Sequence, residues 1–309
     1  MFEHTPVLLD EALAALQVRE AGRYLDATFG RGGHTAAILQ RIGAHGQVVA
    51  IDRDPEAIRA GREKFAADRR LTLVHSPFSE LAQVVKEMGM VGEFNGVLLD
   101  LGVSSPQLDD AARGFSFAQD GPLDMRMNNA SGLTAADWLA KAPEYEIARV
   151  IREFGEERFA KRIARGIVHA RAEQPITRTL QLAEIVAAAV PTREPGKHPA
   201  TRTFQAIRIQ VNREFDEIEA ALHGTLSALA PQGRLCVISF HSLEDGIVKR
   251  FMQKHSQEDP IYAGLPVVPA HAQPKLRRVG RAVHPSAEEV ERNPRSRSSI
   301  MRVAEKVAA

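Results

Sequence analysis

The feature that most constrains the fold is a glycine-rich turn between two short apolar stretches. Residues 24–27 are largely apolar, residues 30–33 contain three glycines, and residues 34–41 have helical periodicity. A second apolar stretch, residues 48–51, ends at Asp52. A strand, a glycine turn, a helix and a second strand form a βαβ unit, which binds ligands at the carboxyl ends of its strands. The pattern therefore predicts an α/β fold with a nucleotide-type site.

The residues of the turn indicate how a ligand is held. Gly32 and Gly33 permit positive φ and let a ligand approach the backbone where a Cβ atom would collide with it. The following helix begins near His34, and its free amides attract an anionic group. Asp52 lies about twenty residues beyond the turn, where a carboxylate accepts both hydroxyls of a ribose. A turn that serves packing alone is the alternative interpretation.

The spacing of the glycines narrows the choice of ligand. A pyrophosphate loop needs a third glycine where Thr35 stands, and the Gly-Lys-Ser/Thr sequence of a Walker loop is absent. The short Gly-x-Gly-Gly form suits a ligand without phosphates, of which S-adenosylmethionine is the common one. An NAD-dependent dehydrogenase shares the βαβ unit and the acidic residue, but the missing glycine argues against it.

Strand and helix patterns alternate outside the middle of the chain. Besides the first βαβ unit, the patterns predict helices over Leu9–Leu16, 55–67, 80–88, 214–229 and 243–255, strands over Leu71–His75, 96–100 and 234–240, a turn at 231–233 and an edge strand over 299–303. Such alternation specifies a mostly parallel sheet with helices on both faces. The predicted fold class is α/β, the Rossmann-like class I fold of S-adenosylmethionine-dependent methyltransferases.

The middle of the chain has a different pattern. Residues 107–211 show helical periodicity without apolar strands, as at 135–140, 145–154, 158–172 and 180–189, and a proline-rich loop follows at 191–199. The sequence therefore predicts a discontinuous methyltransferase domain, residues 1–106 and 212–309. It also predicts an inserted all-helical domain, residues 107–211, that recognises the substrate.

Basic side chains are concentrated in two segments, although the formal net charge is +1. Residues 149–213 carry 13 basic and 6 acidic side chains, and residues 275–309 carry 9 and 4. Such segments attract a polyanion such as nucleic acid. Arg295 and Arg297 alternate with serines, and guanidinium forks beside hydroxyls suit phosphate oxygens. Solvated helix faces are the alternative interpretation.

Composition excludes several other classes of protein. The sequence has no apolar run of about eighteen residues and no signal pattern at residues 1–10, so we expect a cytoplasmic protein without membrane contact. Cys236 is the single cysteine and lies in an apolar stretch, which excludes a disulfide within the chain. Without a Cys/His cluster, no metal is expected.

Asp100 is the candidate catalytic residue. It ends the apolar stretch 96–100 and precedes the polar loop 101–107. In methyltransferases that alkylate exocyclic amines, oxygens after this strand accept hydrogen bonds from the amine, and the protein's main contribution is positioning and exclusion of water. Two alternatives remain open: Asp100 binds the amino group of the cofactor, or it caps a helix.

Several motifs together resemble one family. In chain order they lie at residues 4–11, 28–34, 50–55, 100–105, 114–117, 121–127, 238–245 and 293–298. They resemble the ribosomal small subunit methyltransferase H (MraW) family of bacteria over nearly the whole chain. The resemblance implies direct, in-line methylation of N4 of a decoding-centre cytidine in 16S rRNA, with S-adenosylmethionine as cofactor and the small ribosomal subunit as partner.

The resemblance also implies roles for single residues. Cofactor contacts are implied for Gly32, Gly33, His34, Asp52, Phe78, Asp100 and Gln107. Candidates for holding the target nucleotide are Asp124, Arg126, His241 and Ser242, with Arg295 and Arg297 on the RNA backbone. A turn histidine that caps a helix is the alternative for His241. Since residues 104–107 lack the aromatic of DNA amino-methyltransferases, Phe115 or Phe117 is expected to stack on the base. The helical insertion would cover the site and help bind rRNA.

Other functions share some of these features. A methyltransferase of small molecules or proteins would have the same cofactor site, and a non-catalytic rRNA-binding assembly factor would have the same basic segments. A homodimer is the default expectation for oligomeric state.

Overall fold

The chain forms two compact units, residues 1–102 with 215–309 and residues 103–214. The computed structural model describes residues 6–192, 196, 198–262 and 267–308. Part of the first sequence motif, His4 and Thr5, lies outside the described residues, as do residues 193–195 and 197 of the predicted proline-rich loop. Within the described ranges, no helix is both long and apolar enough to cross a membrane.

The first unit is built on a mostly parallel sheet. Its strands are β1 (Arg23–Asp26), β2 (Gln47–Asp52), β3 (Leu71–His75), β4 (Phe94–Asp100), β5 (Leu229–Ser239), β6 (Leu276–Val283) and β7 (Ile300–Lys306). In the described part of the chain they form one sheet of seven strands in the order β3-β2-β1-β4-β5-β7-β6. Strands β1 to β5 are parallel, whereas β7 is antiparallel to both β5 and β6. The Rossmann-like α/β fold predicted from the sequence is confirmed.

Helices connect the strands and fill the middle of the chain. In chain order they are α1 (Leu9–Leu16), α2 (Gly33–Arg41), α3 (Pro55–Lys64), α4 (Leu81–Glu87), α5 (Ser105–Asp109), α6 (Ala135–Lys141), α7 (Glu144–Gly155), α8 (Ala160–Glu173), α9 (Thr179–Ala189), α10 (Thr201–Asn212), α11 (Glu214–Ala228), α12 (Ser242–His255) and α13 (Ala287–Arg292). Helices α5 to α10 belong to the second unit.

The two faces of the sheet carry separate apolar cores. Successive side chains of a strand point to opposite faces. Leu25 and Val49 accordingly pack with α4, α11 and α12, whereas Tyr24 and Val48 pack with α1 and α2. Because both faces of the central strands are covered, these strands are apolar along nearly their whole length.

The carboxyl ends of neighbouring strands bring three carboxylates to one edge of the sheet. β1 ends at Asp26, β2 at Asp52 and β4 at Asp100. β1 pairs with both β2 and β4, and the strand order reverses direction between β1 and β4. In open α/β sheets, ligands bind in the crevice at such a reversal.

Two details of the predicted sheet are wrong. The predicted edge strand at 299–303 becomes β7, which lies inside the sheet, and the basic stretch before it forms the edge strand β6. Residues 231–233, predicted as a turn, lie within β5. There the pairing with β4 shifts between Phe94 and Gly96, and Gln232 has φ of 64°. Five residue steps of β5, from Leu229 to Arg234, face two steps of β4, so an irregularity of three extra residues accommodates the turn-forming residues without ending the strand.

The second unit is helical and has its own core. The buried side chains of α6 to α10 form one cluster, which also includes Leu123, Met125 and Met127 from the segment before α6. That segment packs tightly against its neighbours: a Cβ atom on Gly121 would lie 1.8 Å from the carbonyl oxygen of Ala111. Glycine is therefore required at this position of the motif by backbone packing.

Candidate functional site

Asp52 is held by backbone amides at the end of β2. Its Oδ2 accepts a hydrogen bond from Gly30 N at 2.7 Å, and its Oδ1 accepts one from Asp54 N at 2.8 Å. Burial raises the pKa of Asp52 from 3.8 to about 6, and the two amides oppose part of that rise. The carboxylate is thus fixed next to the glycine turn, and each oxygen retains lone pairs for further donors.

The two glycines before α2 are required by the chain's own packing. Gly32 is the N-cap of α2 with φ of 67°, and a Cβ atom there would lie 2.6 Å from the Phe29 ring. A Cβ atom on Gly33 would lie 2.3 Å from Cγ of Pro6. Packing therefore requires glycine at these two positions, and the first-turn amides of α2, which have no acceptor within the helix, are what the turn offers to a ligand.

Asp26 is a buried carboxylate that was not among the residues predicted from the sequence. It accepts hydrogen bonds from Thr35 Oγ1 at 2.7 Å and from Thr28 N at 3.2 Å, and burial raises its pKa. Thr28 Oγ1 in turn accepts from Asp100 N at 2.6 Å. Asp26 therefore links β1, α2 and β4 around the site. Its sequence signal is a carboxylate at the end of an apolar stretch, which is the same signal that predicts Asp52 and Asp100.

Asp100 presents an unsatisfied acceptor at the reversal of strand order. Its side chain is 24% exposed, and Oδ1 has no hydrogen-bond partner in the described part of the chain. Oδ2 lies 3.7 Å from Nδ1 of His34. Burial raises the pKa of Asp100 well above its usual value, and the charges of Asp26 and Glu244 raise it further.

The His34 side chain lies beside Asp100 and is buried. Its ring is 6% exposed, and Nε2 lies 3.2 Å from the carbonyl oxygen of Val7. Because a carbonyl only accepts, Nε2 carries a proton and Nδ1 faces Asp100. The adjacent Leu8 N donates to Glu289 Oε1 at 2.8 Å, which fixes this segment. The cofactor contact predicted for His34 stays a prediction.

Phe78 lies in a short 3₁₀ turn that follows β3. Its ring is half-buried and packs against the core on the face of α4. This position is next to the carboxyl end of β2, where the resemblance implies the adenine.

Three predicted site residues of the second unit are engaged with near neighbours in sequence. Gln107 is buried, and its Oε1 accepts from Ser104 N at 3.0 Å in a capping box that begins α5. Asp124 and Arg126 form a two-point ion pair, with Oδ1 to Nε at 2.9 Å and Oδ2 to Nη2 at 2.7 Å. The Ser-x-x-Gln pattern of residues 104–107 is a sequence signal for this capping box, whereas the local ion pair leaves no separate pattern.

The aromatic candidates of the second unit are packed within it. Phe115 is 6% exposed. Phe117 contacts the rings of His198 and Phe204, with centroids 4.6 and 4.8 Å apart. Phe117 is half-buried, and stacking of either ring on a base stays a prediction.

His241 caps helix α12. Its Nδ1 accepts from Glu244 N at 3.4 Å, while Nε2 lies 3.1 Å from Glu244 Oε1. Its ring is 14% exposed, whereas Ser242 is exposed as the first residue of the helix. The capping alternative for His241 thus describes its contacts in this structure.

Arg295 and Arg297 project from a 3₁₀ turn, Pro294–Ser298. Both are exposed, whereas Ser296 between them is buried and donates from Oγ to the carbonyl of Asn293 at 2.8 Å. The turn is thus anchored through Ser296 and presents two guanidinium groups to solvent.

The reversal of strand order, the glycine turn and the strand-end carboxylates define the class of protein, a Rossmann-like class I methyltransferase. The chain belongs to the MraW methylase family, which it matches over residues 1–307. Membership in this family identifies it as an S-adenosylmethionine-dependent rRNA methyltransferase. The dehydrogenase alternative is thereby set aside.

Solved structures with similar folds are distant in sequence. A candidate rRNA-methylase from Clostridium thermocellum is 13% identical with a TM-score of 0.46, and the match covers 99% of this chain and 100% of that one. An O-methyltransferase from Thermotoga maritima is 11% identical with a TM-score of 0.43, covering 100% and 69%. An rRNA methylase from Streptococcus thermophilus is 12% identical with a TM-score of 0.40, covering 100% and 99%. The assignment rests on the family match.

Proposed function

We propose that this protein methylates the exocyclic N4 amine of a cytidine in the decoding centre of 16S rRNA. Family membership supports methylation of rRNA, and the finer target follows from the resemblance of the motifs. The observation that carries the proposal in the structure is the unsatisfied Oδ1 of Asp100, which lies at the carboxyl end of β4, where the strand order reverses.

The residues at the strand ends fit S-adenosylmethionine. Asp52 would accept the ribose hydroxyls, the first-turn amides of α2 would bind the carboxylate, and Phe78 would lie against the adenine. The buried acceptor Asp100 Oδ1 is a group that a ligand donor must satisfy, because an unpaired buried acceptor is costly. When bound, the cofactor supplies a methyl group on a sulfonium, which is an excellent leaving group.

Asp100 is the residue that we assign to the amine. The N4 lone pair of cytosine is delocalised into the ring, so an acceptor on N4–H holds the amine and increases lone-pair density on nitrogen. The Asp100 carboxylate would accept the proton that the N4 amine loses when it is methylated. Its raised pKa makes it a stronger base than an ordinary carboxylate.

A pH dependence follows from this assignment. The amine needs the ionised form of Asp100 as acceptor. Because its pKa is raised in the folded protein, the methylation rate should increase as pH rises through that pKa. A rate that stays flat with pH under single-turnover conditions would remove the carboxylate from this role.

The experiment is methyl transfer to 16S rRNA in small ribosomal subunits, with nuclease digestion and mass spectrometry to identify the product. We expect N4-methylcytidine with the wild-type protein. Asp100→Asn should lower the single-turnover rate at saturating cofactor by about 100-fold or more, the lower range for loss of an acid–base group. Asp68→Asn is the control. The Asp68 carboxylate lies 2.7 Å from the guanidinium of Arg70 and is not at any of the three strand ends that carry Asp26, Asp52 and Asp100.

The same variant separates the two roles left open for Asp100. If Asp100 acts on the amine, the loss is in the single-turnover rate, and cofactor affinity measured by calorimetry changes little. If Asp100 holds the amino group of the cofactor, affinity falls and the rate at saturation is retained. A methyl group on any cytidine atom other than the exocyclic N4 would contradict the proposed target.

A further inference from the structure

We propose that the groove between α12 and the outer strands β6 and β7 binds the phosphate backbone of the RNA substrate. The identity of the polyanion as RNA rests on the proposed function. The role of the groove itself rests on its shape, its charges and the strand that forms its rim.

The groove has a volume of about 840 Å³. Its floor is apolar and includes the buried side chains of Met252, Leu276 and Val303. Arginine and lysine side chains line it from all three elements, namely Lys249 on α12, Arg277, Arg278 and Arg281 on β6, and Arg302 on β7. A concave surface of this size accepts a chain in extended form, whereas a flat membrane surface cannot enter it.

The charge of the groove is strongly positive. Five of its lining residues are cationic, and no acidic residue lines it in the described part of the chain. Low-dielectric walls around charges of one sign concentrate the electrostatic field and attract ligands of the opposite sign.

Two of the five cations have acidic partners behind the groove. Arg302 forms a two-point ion pair with Asp245, at 2.6 and 2.8 Å. Arg277 contacts Glu305 at 2.5 Å, and Glu305 is shared with Arg234 at 2.9 Å. These pairs fix the framework of the groove and neutralise part of its charge.

The other three cations, Lys249, Arg278 and Arg281, are exposed. Among the described residues, no acidic side chain forms a salt bridge with them. The structure thus leaves three positive charges uncompensated on one concave surface. When such charges bind a polyanion, they release its condensed counterions, which makes the free energy of binding more favourable.

The rim of the groove is an irregular edge strand. Four residue steps of β6 from Val279 to Val283 face two steps of β7, and Gly280 has φ of 68° within this bulge. A bulge re-aims the side chains beside it and blocks pairing with another strand. The irregular edge therefore favours side-chain contacts to a phosphate backbone over addition of a peptide strand.

The test is the salt dependence of binding to 16S rRNA, measured by filter binding without cofactor. The variant Lys249→Gln/Arg278→Gln/Arg281→Gln should reduce the slope of log K against log salt by about 2, since each phosphate contact to single-stranded nucleic acid contributes about 0.7. The KM for rRNA should rise, and the single-turnover rate at saturating rRNA should be unchanged. An unaltered slope overturns the proposal.

Two matched variants control for a general loss of positive charge and for misfolding. Arg59→Gln/Arg62→Gln/Lys86→Gln removes three exposed charges from α3 and α4, outside the groove, and should leave the slope nearly unchanged; an equal decrease overturns a specific role of the groove. Lys249→Arg/Arg278→Lys/Arg281→Lys retains the charges and should retain the slope. If the glutamine variant of the groove fails to fold, the charge-retaining variant Lys249→Arg/Arg278→Lys/Arg281→Lys decides: a decrease in its salt slope overturns the proposal.

The groove and the proposed function fail in different ways. Efficient competition by polyglutamate for the groove would indicate an acidic protein partner and overturn the proposal. If wild-type protein forms no methylcytidine while the groove variant still loses its salt slope on RNA, the proposed function is overturned and the RNA groove stands.

Discussion

Asp52 combines a functional position with a cost to the fold. Its pKa in the folded protein, about 6, is above the ordinary value of 3.8. Because the folded pKa is the higher one, the ionised carboxylate destabilises the fold at neutral pH. This cost decreases as pH falls from about 6 towards 4, where the folded protein takes up the proton.

Asp52→Asn is therefore expected to stabilise the ligand-free protein and weaken cofactor binding. The free energy of unfolding should rise by about 1–2 kcal/mol near pH 7.5, less than the full effect of the pKa shift because one amide hydrogen bond is lost. The difference should shrink near pH 5. Cofactor affinity by calorimetry should fall about 10- to 100-fold. Unchanged affinity would remove Asp52 from the pocket.

His241 allows a capping role to be separated from a substrate role. His241→Ala removes the N-cap of α12, which should destabilise the protein by about 1 kcal/mol, and His241→Asn should restore most of that stability because asparagine is a good N-cap. If the contacts to Glu244 are its whole role, both variants retain the methylation rate below the melting temperature. A similar loss of rate in both variants would assign His241 to the target nucleotide instead.

At the residue scale, the positions of the strand-end carboxylates could be predicted from the sequence, whereas the long-range hydrogen-bond partners of the site residues could not. Asp52 and Asp100 lie at strand ends as expected, because an apolar stretch that ends in a carboxylate is visible in sequence. The contact of His34 with the carbonyl of Val7 joins residues 27 positions apart. A contact over such a distance in sequence is set by tertiary packing, which local pattern does not contain. The capping box of Gln107, in contrast, follows the local Ser-x-x-Gln pattern.

At the scale of elements, a substitution in the turn between β1 and α2 tests whether Gly32 is required by packing against Phe29. Gly32→Ala should destabilise the protein by more than the ~1–2 kcal/mol of a left-handed alanine, because its Cβ atom would also lie 2.6 Å from the Phe29 ring. Gly89→Ala is the matched control, with φ of 68° and no atom within 4 Å of the new Cβ. Equal melting temperatures for the two variants would show that the ring moves aside without cost.

Elements with strong periodicity were predicted well, and irregular ones were not. Strand Leu71–His75 and helix Leu9–Leu16 have the predicted bounds, whereas the helix predicted over 55–67 ends at Lys64. β6 was missed because its arginines and Gly280 interrupt the apolar alternation. An edge strand tolerates such residues, since one of its sides faces solvent.

At the scale of the whole molecule, the sequence indicated two regions of different architecture. The predicted insertion spans 107–211, and the compact helical unit of the structure spans 103–214. We propose that this unit recognises the substrate. Its exact bounds depend on which residues join each core, and that is decided by packing.

The exposed arginines of the C-terminal turn give a second charge test. Arg295→Ala/Arg297→Ala should reduce the salt slope of 16S rRNA binding by about 1–1.5, in proportion to two phosphate contacts. Arg59→Ala/Arg62→Ala removes the same charge from α3 and should have little effect. An unaltered slope in the first variant would reassign the turn to structure.

Mass spectrometry of 16S rRNA from cells that lack this protein tests the proposed activity on the natural substrate. We predict that the N4-methyl group on the decoding-centre cytidine is absent from this rRNA. It should return with the wild-type gene and not with the Asp100→Asn variant expressed at the same level. Persistence of the N4-methyl group in cells without the protein would contradict the proposed function.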